Sequence, residues 1–225
     1  MKKTIKNLTL SAIVAFAAGT VNAGDWQPSE LQQRLPGPAK LPMPVADTSG
    51  AVNTDIQFIA DRLAILNHIS AYSYVADEQR WEDWYALFSD DMVFETTVPC
   101  FGTVKAKGKK LFKAFFDARY RGPGAEKNTT MRRHFQGNYH VVSQTKDKAE
   151  VRSYMMITAA TPDGAFKPIT SGTYNATLEK RDGRWTITRW YIEVDAPVSS
   201  SPVPEEPIEG FTFIPDDRPE CKKKS

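Results

Sequence analysis

The order of hydrophobic patterns along the chain is the feature that most restricts its fold, because helical patterns come first and strand patterns follow. Between residues 55 and 76, apolar side chains recur at helical spacing and predict a long first helix. These side chains are Ile56, Ile59, Leu63, Leu66 and Ile69. Thr54 and Gln57 have capping-box spacing, in which the two side chains satisfy free amides at a helix start. A second short helix is predicted over 80–88.

Strand patterns dominate from residue 92 onward. Residues 92–98 are rich in β-forming side chains, and a third helix with an apolar stripe is predicted over 109–119. Further strands are predicted near 133–143, 149–160, 170–180 and 184–194. Helices followed by a meander of antiparallel strands define an α+β fold. Several strands have two moderately apolar faces, so we expect the sheet to curl around an interior.

Both ends of the chain differ in composition from the middle. Residues 1–23 combine three lysines, an apolar run and the small-x-small sequence Val21-Asn22-Ala23, which is typical of a signal peptide. Residues 24–53 are rich in proline and predict an extended arm. Residues 54–195 form the predicted domain, and residues 196–225 form a tail. We therefore expect a periplasmic or secreted protein without a membrane span.

Charge and residue spacing argue against several kinds of partner. Without the lysines of the signal peptide, the formal charge changes from +2 to −1, with 26 basic against 27 acidic residues. A nucleic-acid-binding protein would have a basic face in its folded part, so no nucleic acid is expected. The three histidines show no HxH or HExxH spacing, so a metal centre is not expected. No other cofactor is predicted.

The two cysteines, Cys100 and Cys221, both lie in the part of the chain predicted to be exported. Disulfides form and persist in such compartments. We predict that these cysteines form a disulfide that ties the tail across the domain, where Phe211 and Phe213 would otherwise be exposed. In the alternative, Cys100 is a buried apolar residue and Cys221 is a free thiol.

Two sequence signatures supply the components of an acid/base pair. Tyr72-Ser73-Tyr74-Val75-Ala76-Asp77 ends the first predicted helix, and the stretch from Met131 to Asn138 opens a strand and contains His134. A histidine titrates near neutrality, and a carboxylate bonded to one ring nitrogen fixes its tautomer and raises its basicity. Such a pair can remove a proton from a substrate and return it.

These signatures, with Trp81, Trp84 and the turn Asp182-Gly183-Arg184-Trp185, resemble the SnoaL-like branch of the nuclear transport factor 2 superfamily. The resemblance covers roughly residues 54 to 195, and the chain resembles enzymes such as scytalone dehydratase and bile acid 7α-dehydratase. It implies a cone-shaped barrel, in which a curved, mainly antiparallel sheet packs on three N-terminal helices around a pocket. It also implies a homotrimer or a homodimer.

The resemblance assigns the catalytic pair to Asp77 and His134, and Tyr72 matches a tyrosine of the bile acid enzyme. Thr96 departs from the pattern, because it stands where both dehydratases place a pocket tyrosine, and the second histidine of scytalone dehydratase has no counterpart near Ala159. Tyr174 matches a pocket asparagine. Thr96 and Tyr174 are therefore candidates to line the ligand site, although Tyr174 could equally be an ordinary core residue.

The choice between the two tyrosines before Asp77 stays open at the level of sequence. Ideal helix geometry places Tyr74 on the face of Asp77, whereas the resemblance favours Tyr72. Tyr74 is therefore a second candidate for substrate binding. In a purely structural alternative, Asp77 caps the turn after the helix and His134 is a satisfied pocket histidine.

Strand alternation adds candidates around His134. It places His134, Gln136, Asn138 and His140 on one face, which makes Asn138 a candidate for substrate binding. His68, on the first helix, is expected to be structural or at the surface.

These patterns predict a cofactor-independent dehydratase or isomerase that acts on a hydrophobic hydroxy-carbonyl compound, such as a steroid or a polyketide. A tyrosine hydroxyl would polarise the carbonyl as enolate charge develops. The alternative is a non-catalytic protein that binds a small hydrophobic ligand. A third possibility is an assembly subunit like the β chain of ring-hydroxylating dioxygenases, against which the predicted export argues.

Overall fold

Helices precede most of the strands in the structure, as the hydrophobic patterns predict. A computed structural model describes residues 53–120, 131–161, 164–195, 210–219 and Cys221 of the 225-residue chain. The predicted signal peptide, all of the predicted arm except residue 53, and residues 196–209 of the tail lie outside the described residues. None of the helices within the described ranges is both long and apolar enough to cross a membrane.

Helix α1 spans Ile56–Asp77, α2 spans Trp81–Ala86 and α3 spans Lys109–Tyr120. The three predicted helices are therefore present, but the predicted cap of α1 is wrong. Asp55, and not Thr54, is the capping residue, because its carboxylate accepts hydrogen bonds from the backbone N–H groups of Gln57 and Phe58. An aspartate at this position satisfies two free amides and adds a favourable charge at the helix start.

The buried face of α1 is not the one that the apolar spacing predicts. Ile69 is buried, but Ile56, Ile59 and Leu63 are exposed. The buried set includes polar residues and consists of Asp61, Ile65, Ile69, Tyr72, Ser73 and Val75. The apolar spacing failed because part of the buried face is polar.

Asp61 can be buried because three side chains donate hydrogen bonds to its carboxylate. The donors are Nζ of Lys180 at 2.8 Å, Nε1 of Trp185 at 3.1 Å and Nε2 of Gln57 at 3.2 Å. The hydrogen bond from Lys180 is the main reason that the pKa of Asp61 lies below its usual range, and burial opposes it. This cluster joins the start of α1 to the last hairpin of the sheet.

The sheet contains seven strands within the described residues, in the order β3-β4-β5-β6-β1-β2-β7. Their bounds are Phe88–Val98 (β1), Gly102–Lys107 (β2), Met131–Gln144 (β3), Lys148–Ala160 (β4), Phe166–Arg181 (β5), Arg184–Val194 (β6) and Phe211–Pro215 (β7). All neighbours are antiparallel except β1 and β6, which are parallel. The sheet is curved and mixed and does not close, so the predicted cone-shaped α+β fold is confirmed as an open one.

Aromatic side chains fill the space between the helices and one face of the sheet. The ring centroids of Trp84 and Phe116 lie 4.8 Å apart, and those of Phe88 and Phe112 lie 4.7 Å apart. Trp84, Phe88, Phe112 and Phe116 are all buried, together with Phe94, Phe115 and Trp190. Offset and edge-to-face contacts of this kind contribute about 0.5–1.5 kcal/mol per pair beyond the area that they bury.

Two strands, β2 and β7, have no counterpart among the predicted elements. Strand β7 lies in the predicted tail and pairs with β2. Phe211 packs against Phe115 of α3, with ring centroids 5.6 Å apart. The predicted disulfide between Cys100 and Cys221 is present, with Cα atoms 4.7 Å apart, and it attaches the end of the tail to the turn between β1 and β2.

We expect the double variant Cys100→Ser/Cys221→Ser to unfold more easily than the wild type. The disulfide closes a loop of 121 positions. Loss of such a cross-link gives the unfolded chain more conformational freedom, which lowers the free energy of the unfolded state by up to about 4–5 kcal/mol at 25 °C. Urea unfolding of both proteins measures the difference. An unchanged free energy of unfolding would contradict a stabilising role for this bond.

His68 generates a prediction about pH. Its side-chain Nε2 lies 2.8 Å from the carbonyl oxygen of Leu87, which links α1 to the end of α2. Burial lowers the pKa of His68 below 6.5, and the contact with Leu87 opposes this. His68 therefore binds a proton less readily in the folded protein than in the unfolded chain. Its contribution to the free energy of unfolding should be fully present above about pH 6.5 and should decrease as the pH falls below that value.

The variant His68→Gln retains a donor for the Leu87 carbonyl but cannot titrate. Its Tm should therefore fall less than that of the wild type between about pH 7 and pH 5. Parallel Tm curves for the two proteins would show that His68 does not contribute to acid destabilisation.

Candidate functional site

The C-terminal end of α1 meets the beginning of β3, and this junction brings Asp77 and His134 together. Nδ1 of His134 lies 2.5 Å from Oδ1 of Asp77, and the backbone N–H of His134 donates to Oδ2 at 2.9 Å. The side chains are 12% and 9% exposed, respectively. One carboxylate thus holds both the ring and the backbone of the histidine.

This geometry determines which nitrogen of His134 is available for proton transfer. A carboxylate accepts hydrogen bonds, so Nδ1 carries the proton and donates it to Asp77. In the neutral imidazole, the lone pair then lies on Nε2. A histidine held in this way can accept a proton at Nε2, while the adjacent carboxylate stabilises the resulting imidazolium.

Tyr72 lies beside this pair and inside the core. Its ring meets that of His134 edge-on, with centroids 6.3 Å apart, and stacks on Trp190 at 4.4 Å. The residue is only 3% exposed, whereas Tyr74 is 70% exposed. The structure therefore places Tyr72 next to His134 in the interior, as the family resemblance favours, and leaves Tyr74 at the surface.

A small cavity of about 110 Å³ lies on the inner side of His134. The predicted site residues Tyr72, Thr96 and Tyr174 line it with His134. Phe115 and Phe116 of α3 form another wall, and the remaining lining residues are Phe94, Val98, Met155, Ile157, Thr170, Ile192 and Val194. Four of the sequence-predicted residues thus come together around a mostly apolar space.

A larger groove of about 730 Å³ runs along the outer side of the same junction. Asp77 borders this groove and is absent from the lining of the inner cavity, whereas His134 borders both spaces. Tyr74 and Asn138 also line the groove. These two predicted substrate-binding residues are therefore separated from Thr96 and Tyr174.

A β-bulge in β3 explains the position of Asn138. The pairing register with β4 shifts between Gly137 and His140, and Asn138 has a φ of +52°. A bulge inserts one extra residue, so the faces of the strand exchange beyond it. Tyr139 and Val141 pack against the core, and the predicted common face of His134, Asn138 and His140 is wrong.

Sequence reasoning missed a row of polar contacts between α1 and β3. The Ser73 hydroxyl donates to Oε1 of Gln136 at 3.0 Å, and the Ser70 hydroxyl donates to the Tyr139 oxygen at 3.1 Å. Further along, Arg62 Nε donates to the side chain of Gln144. Ser70, Ser73 and Asp77 have the i, i+3, i+7 spacing of one helix face, so a polar stripe was readable in the sequence.

One group within the described residues has the spacing of metal ligands, and it lies away from the pair. It consists of Cys100, Asp216 and Cys221. Its two sulfur atoms are joined in the disulfide, and Asp216 accepts hydrogen bonds from Arg218 and from the backbone N–H of Cys100. This arrangement fits a structural role at the end of β7.

The chain belongs to the SnoaL-like domain family, because the model of that family matches residues 57–191. No protein of curated function matches the sequence at a significant level. Solved structures with the same fold include a variant of Rv3472 from Mycobacterium tuberculosis, a protein of unknown function. It is 26% identical, with a TM-score of 0.53 over 69% of this chain and 84% of that chain.

Two similar structures come from Novosphingobium aromaticivorans. One is a candidate scytalone dehydratase, which is 22% identical, with a TM-score of 0.51 over 68% of this chain and 98% of that chain. The other is the β subunit of a candidate aromatic-ring-hydroxylating dioxygenase, which is 16% identical, with a TM-score of 0.53 over 64% of this chain and 94% of that chain. At these identities the likeness establishes the shared fold alone.

The different positions of the two tyrosines predict different stability effects. Tyr72→Ala should lower the free energy of unfolding by about 3–5 kcal/mol, because it removes a buried ring from the aromatic core. Tyr74→Ala should change it by less than about 0.5 kcal/mol, because its ring is mostly in solvent. Chemical denaturation of both variants measures this, and comparable losses would contradict the assignment of Tyr72 to the interior.

Proposed function

We propose that the protein is a cofactor-independent dehydratase or isomerase for a hydrophobic hydroxy-carbonyl compound. The observation that carries this proposal is the Asp77–His134 pair, in which one carboxylate holds both the ring and the backbone N–H of the histidine beside an apolar cavity. General acid/base chemistry requires such a positioned group within reach of the substrate.

In the proposed dehydration, Nε2 of His134 removes a proton from the carbon next to the carbonyl. Asp77 stabilises the imidazolium that forms, and the Tyr72 hydroxyl donates to the carbonyl oxygen as enolate charge develops. The imidazolium then returns the proton to the departing β-hydroxyl group, so that an unsaturated carbonyl compound and water are released. In an isomerisation, the same proton returns to a different carbon.

The apolar lining of the inner cavity supports a hydrophobic ligand. Phe94, Val98, Phe115 and Phe116 offer no hydrogen bonds from their side chains, whereas Thr96 supplies a hydroxyl group. Membership of the SnoaL-like family also supports a small-molecule ligand, and one protein of the same fold is a candidate scytalone dehydratase. A steroid- or polyketide-like substrate is the class that we propose.

The second candidate is a protein that binds such a ligand without converting it. Thr96 favours this function, because it occupies a cavity position at which the resemblance implies a pocket tyrosine. Binding and turnover assays with the Asp77→Asn variant separate the two candidates. An enzyme would retain binding and lose turnover, whereas a carrier would show no turnover in the wild type either.

Export to an oxidising compartment and assembly as a homotrimer or homodimer remain parts of the proposal. The Cys100–Cys221 disulfide is consistent with export, because such bonds persist in the periplasm and outside the cell. Alkylation of freshly isolated protein, followed by mass spectrometry, would detect two free thiols if the bond were absent in the cell. Light scattering measures the oligomeric state.

We expect His134→Ala and Asp77→Asn to lower turnover of a β-hydroxy ketone substrate by about 10²–10⁴-fold, because each removes part of the positioned acid/base pair. Both variants should remain folded, as measured by circular dichroism. His140→Ala is the matched control, since this histidine lies on the same strand beyond the bulge. Near wild-type turnover in His134→Ala would show that the pair is not catalytic.

A further inference from the structure

Within the described residues, strand β3, which carries His134, pairs with a neighbouring strand on one side only. It is the edge strand of the sheet within the described residues and pairs with β4. Its backbone ladder is interrupted by the bulge between Gly137 and His140. The distance between β3 and α1 therefore depends on side-chain contacts, and the pair of Asp77 and His134 is one of them.

Gln136 makes the contact next to this pair. Its Oε1 accepts a hydrogen bond from the Ser73 hydroxyl at 3.0 Å, and its Nε2 donates to the Ser153 hydroxyl oxygen at 2.9 Å. Ser73 and Ser153 are buried, on α1 and β4 respectively. A single amide thus connects three elements through both of its ends. It does so without adding a second charge beside the Asp77 carboxylate.

The Ser73–Gln136 and Asp77–His134 contacts join the same two elements at neighbouring positions. Ser73 and Asp77 lie one helical turn apart on α1, and His134 and Gln136 lie two residues apart on the same face of β3. The bulge follows Gly137, the residue after Gln136, so the Gln136 amide makes the last of these contacts before the strand becomes irregular. A shift of β3 at Gln136 would change the approach of the imidazole to the carboxylate.

We propose that Gln136 is a positioning residue for the Asp77–His134 pair. Its amide fixes the separation of α1 and β3, and it thereby keeps Nδ1 of His134 on Asp77 and the lone pair on Nε2. Its importance for activity rests on the function proposed above, but its effect on the imidazole can be measured without a substrate. A hydrophobic side chain at this position could fill the space, but it would leave the buried Ser73 and Ser153 hydroxyls without this partner.

The experiment is a nuclear magnetic resonance study of His134 in the full-length folded protein. A short hydrogen bond to a carboxylate shifts the Nδ1 proton far downfield, and the ring ¹⁵N shifts report the tautomer. We expect Gln136→Leu to move this proton upfield, to speed its exchange with water and to produce a mixture of both tautomers. Ser153→Ala, which removes one end of the tether, should cause a smaller change in the same direction.

Ser70→Ala is the matched control. It removes the hydrogen bond from the Ser70 hydroxyl on α1 to Tyr139, which lies on β3 beyond the bulge. The variant therefore shows what the loss of any one contact between α1 and β3 does to the protein. We expect Ser70→Ala to lose about as much thermal stability as Ser153→Ala and to leave the His134 spectrum unchanged. A folded Gln136→Leu protein with the wild-type spectrum would overturn the proposal. If Gln136→Leu does not fold, the Ser153→Ala variant provides the test. A wild-type His134 spectrum in Ser153→Ala would then overturn the proposal.

A protein that carries its ligand without converting it would fail the turnover test and could still show the expected His134 spectra. Conversely, an active enzyme with an unperturbed imidazole in Gln136→Leu would retain the proposed function and lose this inference. The two failures are therefore distinguishable.

Discussion

The packing of aromatic rings between the helices and the sheet is the constraint on which the rest of the structure depends. Tyr72 and Trp190 stack at the centre, and Tyr174 packs against both of them at 5.3 and 4.9 Å. This packing leaves a cavity of only about 110 Å³, well below the roughly 300–1,000 Å³ of ordinary ligand pockets. The core thus determines how much of a ligand can reach the inner side of His134.

Polar contacts along α1 determine where the helix lies on this core. At one end Asp61 accepts hydrogen bonds from Lys180 and Trp185, and at the other Asp77 holds His134. An unsatisfied buried polar group costs about 1–3 kcal/mol, so a helix displaced by one turn would lose several partners at once. The polar residues therefore select one register for α1, which apolar packing alone would leave less well defined.

Periodicity allowed the helices and most strands to be predicted. The Asp77–His134 pair was predicted from two local motifs together with the family resemblance. The buried face of α1 could not be predicted, since the partners of Asp61 lie on β5 and β6, more than a hundred residues away. The choice of Tyr72 over Tyr74 also required the three-dimensional packing. Strand β7 is short and, among the described residues, pairs with the distant strand β2.

The sequence contained a signal for the bulge in β3, but the prediction followed strand alternation instead. A glycine inside a strand often marks a bulge, and asparagine tolerates a positive φ, so Gly137-Asn138 indicated the irregularity. Beyond that point the alternation rule assigns each side chain to the opposite face. Local conformation at these two residues therefore decided which face of β3 carries the side chains that follow them.

The disulfide has a topological consequence for the candidate site. The bond between Cys100 and Cys221 closes a covalent ring that contains β2 to β7, and α1, α2 and β1 lie outside it. His134 belongs to the closed ring and Asp77 to the open chain that precedes it. The main chain joins the two residues, but only non-covalent contacts hold them next to each other. A local opening that released α1 would therefore separate them while the ring stayed intact. The pair therefore reports on the docking of α1, independently of the covalent closure of the sheet.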